Sequence, residues 1–115
     1  MNKLYHNPRC SKSRQTLALL EENNAEFEIV EYLKNPPSES EISTILDKLG
    51  YSNPLQLVRT KEDLYKELGV DSFKEDSEKL IKTMVENPKL IERPILVTGQ
   101  KAAVGRPPES VLEIL

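Results

Sequence analysis

Two short apolar-alternating stretches lie near the start of the chain and two near its end, with helical spacing between them. Lys3-Leu4-Tyr5-His6 reads as a first strand. Asn7-Pro8-Arg9-Cys10-Ser11 interrupts it, since Asn-Pro favours a turn. A helix is expected from about Ser13 to Glu22, offering Leu17, Leu19 and Leu20 to a core and ending at Asn23-Asn24. Phe27 to Tyr32 is the next strand, and strand–helix–strand order predicts a parallel pair. Pro36-Pro37 closes it. Ser38 and Glu41 match a capping box, in which each side chain satisfies the other's free backbone N–H. Ile42, Ile45, Leu46 and Leu49 then follow on one helical face, and Gly50 stops the helix.

A turn near Pro54–Leu57 and helices around Glu62–Leu68 and Asp76–Asn87 complete a stretch, 38–90, that reads as helical and free of strands. Ile95-Leu96-Val97-Thr98 and Lys101-Ala102-Ala103-Val104 read as a hairpin, with Gly99-Gln100 as a type II′ turn. Pro107-Pro108 opens a last helix carrying Val111, Leu112 and Leu115. The expected architecture is α/β. It is a thioredoxin-like mixed four-stranded sheet in one domain, 1–115, with a helical insertion at 38–90 between its βαβ and ββα halves.

Composition narrows the function classes. A chain of 115 residues, 37% hydrophobic and 30% charged, suits one soluble core. Without Trp and with few aromatics, that core must be aliphatic. A net charge of −3 argues against nucleic acid as the main partner but leaves room for a local cluster of arginines. No apolar run approaches the ~20 residues that span a bilayer, and the N-terminus lacks a signal-like segment, so no membrane partner is expected. One cysteine cannot form an internal disulfide, which points to a reducing, cytoplasmic compartment. No set of metal ligands stands out in the sequence.

Cys10 is the residue with chemistry to offer. A lone cysteine is most often a small buried hydrophobe. This one, however, falls where a helix begins, and the unpaired N–H groups of a helix N-terminus favour an anion. A thiolate there is stabilised, and thiolate is the nucleophilic form. The pattern Cys10-Ser11-Lys12-Ser13 is Cys-x-x-Ser, so no second thiol in this loop can resolve an adduct, and an outside thiol must. Ser13 has two readings, hydrogen-bond donor to the sulfur and helix cap. His6 likewise reads either as a surface residue at a strand end or as a cation or donor near the sulfur. Lys12 and Arg14 could add positive potential, but an exposed face needs no function from either, and that is the favoured reading of Lys12.

His6-Asn7-Pro8-Arg9-Cys10-Ser11-Lys12-Ser13-Arg14 resembles the active-site segment of the glutaredoxin-coupled arsenate reductases. Leu57-Val58-Arg59, Glu92-Arg93-Pro94-Ile95 and Gly105-Arg106-Pro107 resemble the three segments that supply that family's oxyanion-binding arginines, in the same order along essentially the whole chain. Ser11-Lys12 departs from the Gly-Thr of the best-known members. The resemblance implies Cys10 as nucleophile, His6 as its activator, Arg59, Arg93 and Arg106 as oxyanion ligands, and Pro94 as a structural cis proline. It implies arsenate as substrate, no bound cofactor, glutathione as co-substrate and glutaredoxin as partner. Guanidinium forks suit a tetrahedral dianion, since each directs two bonds and stays charged. Each arginine taken alone reads as a surface salt bridge. Two other readings share this fold: a glutathione-dependent thiol reductase, and an Spx-type regulator that binds RNA polymerase. Many of the latter carry Cys-x-x-Cys, which Ser13 removes.

Overall fold

The computed structural model describes residues 2–115; Met1 lies outside them. The chain forms two compact units: the residues up to Asn35 together with Arg93–Leu115, and Pro36–Glu92.

The first unit holds the sheet. Strand β1 (Lys3–Tyr5) leads to helix α1 (Ser11–Glu22) and strand β2 (Glu28–Val30); β3 (Ile95–Val97) and β4 (Ala102–Val104) return from the far end of the sequence. The strand order is β2-β1-β3-β4, with β1–β2 parallel and the other two pairs antiparallel. Leu4 lies opposite Ile29 on one side and Leu96 on the other. Leu4, Leu20, Leu96 and Val111 are fully buried and form the centre of the core, with Leu17, Phe27, Ala103 and Leu112 packed around them. The centre of the core is aliphatic, as the composition suggests, but the aromatic residues are not left outside: Phe27 packs against it, and Tyr5 and Tyr32 are buried as well.

Several local expectations are corrected. Helix α1 begins at Ser11, two residues early, so Cys10 and not Ser13 occupies the capping position. The helix ends as expected, with Asn24 at a φ of 54°, a conformation Asn tolerates. β2 is shorter than its apolar run. It pairs only with β1, so Ile29 stays 48% exposed. The β3–β4 turn is not type II′, because Gly99 does not adopt positive φ. Thr98 makes that geometry unnecessary: its Oγ donates to the Lys101 carbonyl and accepts from the Lys101 N–H, both at 3.1 Å. The last element is a 3-10 helix, Pro108–Ile114. Pro108, Val111 and Ile114 follow the three-residue repeat of that helix, and Leu112 packs on the core beside them. Leu115 is left 53% exposed instead of in the core.

The second unit is helical. Helix α2 (Glu39–Leu49) carries the expected capping box: Glu41 N–H donates to Ser38 Oγ at 3.1 Å, and Ser38 N–H to Glu41 Oε1 at 3.4 Å. Gly50 closes it with a φ of 74°, where a side chain would be strained. Helices α3 (Asp63–Glu67) and α4 (Ser77–Glu86) follow, with 3-10 turns at Pro54–Leu57, Val70–Phe73 and Pro88–Leu90. Ile42, Ile45, Leu57, Val70, Leu80, Met84 and Leu90 are among its most buried side chains. One bridge, Val58 with Ile91, breaks the expected absence of strand pairing and fixes the backbone around Arg59.

Candidate active site

Cys10 ends the loop between β1 and α1. Its extended backbone, φ −93° and ψ 125°, stops the helix from running further back, and its carbonyl accepts the first helical bond from Arg14 N–H at 3.0 Å. The residue is 9% exposed. Burial alone pushes a thiol pKa up. Here that effect is outweighed by the Ser13 backbone N–H, the Arg93 charge, the Lys12 backbone N–H and the Arg106 charge, so the Cys10 thiol lies below its ordinary range. The helix start thus stabilises the thiolate through two named amides.

The side chain of Ser13 does something else. Its Oγ accepts the Asn7 N–H at 3.0 Å and lies 2.6 Å from His6 Nδ1. Ser13 Oγ and His6 Nδ1 share one hydrogen bond, whose direction is set by the imidazole tautomer. His6 is only 5% exposed. Burial lowers its pKa and the Arg14 charge adds to this, against the pull of Glu31. The imidazole is therefore buried and neutral. It is neither the surface residue nor the cation that the sequence suggested. Ser13 meets the sulfur with its amide, and its hydroxyl is spent on the loop.

Two arginines flank the sulfur. Arg106 Nε donates to the Arg93 carbonyl at 2.9 Å, and Arg106 Nη2 lies 3.8 Å from Cys10 Sγ. On Arg93, Nε and Nη1 are withdrawn from solvent. Both arginines precede cis prolines, Pro94 and Pro107. The second of these bonds is not signalled by the sequence. Arg59 belongs to the helical unit. Its N–H donates to the Leu90 carbonyl at 2.7 Å, and its Nη1 pairs with Glu62 Oε2 at 2.8 Å. Glu62 also holds Lys89, at 3.2 Å. The salt bridge considered for a lone arginine is thus present at Arg59.

Sequence reasoning missed Gly105 and Thr16. A Cβ on Gly105 would stand 2.5 Å from Thr16 Oγ1 and 2.8 Å from Pro94 Cγ. Thr16 is fully buried, and its hydroxyl donates to the Lys12 carbonyl at 2.8 Å. Glycine between Val104 and Arg106 was the available signal, but only the packed structure shows what it makes room for. Among the described residues no group of His, Cys, Asp and Glu could hold a metal ion, and no helix is long and apolar enough to cross a membrane. A thiolate held by two amides beside two guanidinium groups can attack an electrophile and bind an oxyanion in the same place.

The family model for ArsC matches residues 5–114. The chain belongs to the ArsC family. It is 54% identical to the uncharacterized protein YfgD of Escherichia coli K12 over 113 residues, 98% of this chain and 95% of that one. It is 48% identical to an arsenate reductase of Neisseria meningitidis over 113 residues, 98% and 97% of the two chains. Among solved structures, an arsenate reductase from Vibrio cholerae superposes with a TM-score of 0.95 at 46% identity, covering 99% of this chain and 97% of that chain. The thioredoxin-like fold of this ArsC-family chain therefore agrees with the resemblance read from its four segments.

Proposed function

We propose that the chain is an arsenate reductase that draws its electrons from glutathione and is reset by glutaredoxin. The observation that carries this reading is the guanidinium of Arg106 at 3.8 Å from the Cys10 sulfur, with Arg93 adding its charge to the same thiol. Similarity to proteins named arsenate reductase at close to half identity supports it.

Arg93 and Arg106 neutralise the oxyanion and hold a tetrahedral group against the thiolate, which cuts the repulsion between two anions. Arg59 enters as a third anion ligand on the resemblance of its segment. Cys10 Sγ forms a bond to arsenic, and an arsenate oxygen leaves as water after taking up protons. Glutathione thiolate then bonds to Cys10 sulfur as the sulfur–arsenic bond breaks. The electron pair of that bond stays on arsenic, which goes from +5 to +3 and departs as arsenite. Two thiols have been oxidised to one mixed disulfide. Cys10 has no internal partner, so glutaredoxin takes the glutathionyl group and returns Cys10 as thiolate. His6 serves this cycle as a neutral anchor for Ser13, not as a proton carrier to sulfur.

The test is arsenate-dependent NADPH oxidation with glutathione, glutaredoxin and glutathione reductase, comparing the native chain with Cys10→Ser. Turnover is expected only with Cys10. Equal rates would overturn the mechanism, and turnover of a model glutathione mixed disulfide without any on arsenate would assign the fold to thiol reduction instead.

A further inference from the structure

The loop from Asn7 to Ser13 is short, yet it is tied at both ends by contacts that never reach the sulfur. Asn7 uses three of its polar groups within it. Its carbonyl accepts the Cys10 N–H at 3.0 Å, its side-chain Oδ1 accepts the Arg9 N–H at 3.0 Å, and its own N–H donates to Ser13 Oγ at 3.0 Å. Arg14 closes the outer side, with Nη1 on the Pro8 carbonyl at 3.0 Å. At the inner side His6, buried at the end of β1, holds Ser13 Oγ. The hydroxyl of Ser13 is thus committed to His6 and Asn7, while the amides of Lys12 and Ser13 serve the sulfur.

We infer that Asn7 is a positioning residue for Cys10, and that the Ser13 hydroxyl acts on the sulfur through Asn7 and the loop rather than by a bond of its own. An amide stabilises an anion only when its N–H is aimed at it, and hydrogen bonds weaken steeply off axis. Both amides sit in the first turn of α1, so their aim is set by where Cys10 is held against that turn. The Asn7 side chain acts through its Oδ1 on the Arg9 N–H, which holds the turn whose backbone bond ends at Cys10 and so keeps the Asn7 N–H on the hydroxyl at position 13. The charges facing the sulfur are those of Arg93 and Arg106. They come from the other end of the sheet sequence and do not depend on the loop. Losing the loop ties therefore misaims the amides and leaves the arginines in place.

This inference rests on the reading of Cys10 as the reacting thiolate, but its test needs no arsenate. The rate of Cys10 alkylation by iodoacetamide is followed from pH 4 to 10 in the native chain, Asn7→Ala, Asn7→Ser and Ser13→Ala. Both alanine variants are expected to raise the midpoint, by about half to one pH unit, the effect of weakening one hydrogen bond to the charged form. Asn7→Ser keeps a side-chain acceptor two residues before Arg9 and should recover much of the shift. The double variant Asn7→Ala/Ser13→Ala should shift little further than either alone, because both act on one loop. A shift in Ser13→Ala with none in Asn7→Ala would mean that the hydroxyl serves the sulfur directly, and would overturn the inference. So would unchanged midpoints in both. Should the buried Ser13→Ala fail to fold, Asn7→Ala decides alone, since its lost bond is at the surface. Failure of arsenate turnover in the native chain would sink the proposed function and leave this result standing.

Discussion

Replacing Gly105 by alanine adds one methyl group where three atoms of two neighbours already converge. The new Cβ would stand 2.5 Å from Thr16 Oγ1, 2.8 Å from Pro94 Cγ and 3.3 Å from Pro94 Cδ. Ordinary contact begins near 3.5 Å, so the deficits are about 1.0 Å and 0.7 Å for the two closest. Neither neighbour yields easily. Thr16 is fully buried and bonded to the Lys12 carbonyl, and the Pro94 ring is part of the backbone whose carbonyl accepts the Gly105 N–H at 2.9 Å. Overpacking of this kind costs about 1–3 kcal/mol. At about 4–8 °C per kcal/mol for a domain near this size, the melting temperature should fall by roughly 5–20 °C. Calorimetric melts of the native chain, Gly105→Ala and Gly105→Ala/Thr16→Ala measure it. The double variant removes the shorter contact but not the proline, so rescue should be partial. Arg106 follows Gly105 directly, and its reach to Cys10 should lengthen in the single variant, raising the thiol pKa. A Gly105→Ala protein that melts within 1 °C of native, with an unchanged alkylation midpoint, would refute the packing argument.

Two further outcomes follow from the site. Arg106→Met should raise the Cys10 alkylation midpoint by up to about 0.8 pH unit, because a unit charge near 4 Å is worth about 1 kcal/mol at the solvent-screened limit and Arg106 is exposed; an unchanged midpoint would remove Arg106 from the sulfur's environment. His6 is held below its ordinary pKa of 6.5 in the folded chain, so the unfolded chain takes up the proton first as pH drops. Its contribution is complete above about pH 6.5 and is lost as pH falls through the folded pKa. Melting temperatures from pH 7.5 to 5 should therefore fall more steeply for the native chain than for His6→Asn, and parallel slopes would contradict a buried neutral imidazole.

Features set by near neighbours in the chain were legible in advance. The Ser38–Glu41 box and the Gly50 stop depend on a few residues each, and both are found where expected. The parallel β1–β2 pair follows from strand–helix–strand order. Cys10 at a helix start was readable because Asn-Pro must break the strand before it. What sequence could not show depends on chain reversal or close packing. Ser13 meets His6 across seven residues only once β1 and α1 fold back together, so the choice between sulfur donor and cap had no local answer. The Thr98 hydroxyl replaced the glycine turn by a contact no pattern encodes. The type of the last helix is ambiguous in sequence, because positions 111, 112 and 115 suit an α-helix as well as 108, 111 and 114 suit a 3-10 helix. Arg93 and Arg106, 13 residues apart in sequence, meet beside Cys10 only through the folded hairpin, which no local pattern encodes.

That last pairing makes strand register a carrier of the anion chemistry. In the β3–β4 hairpin Ile95 lies opposite Val104, so Arg93 and Arg106 each stand two residues beyond the final rung. The hairpin works like a pair of tweezers, with its jaws at the open end and its pivot at Thr98–Lys101. Lengthening the pivot by added loop residues should leave the jaws aligned. Inserting a single residue within either strand would turn that strand's side chains to the opposite face. One jaw would then point away from Cys10 while every residue of the site was still present in the sequence.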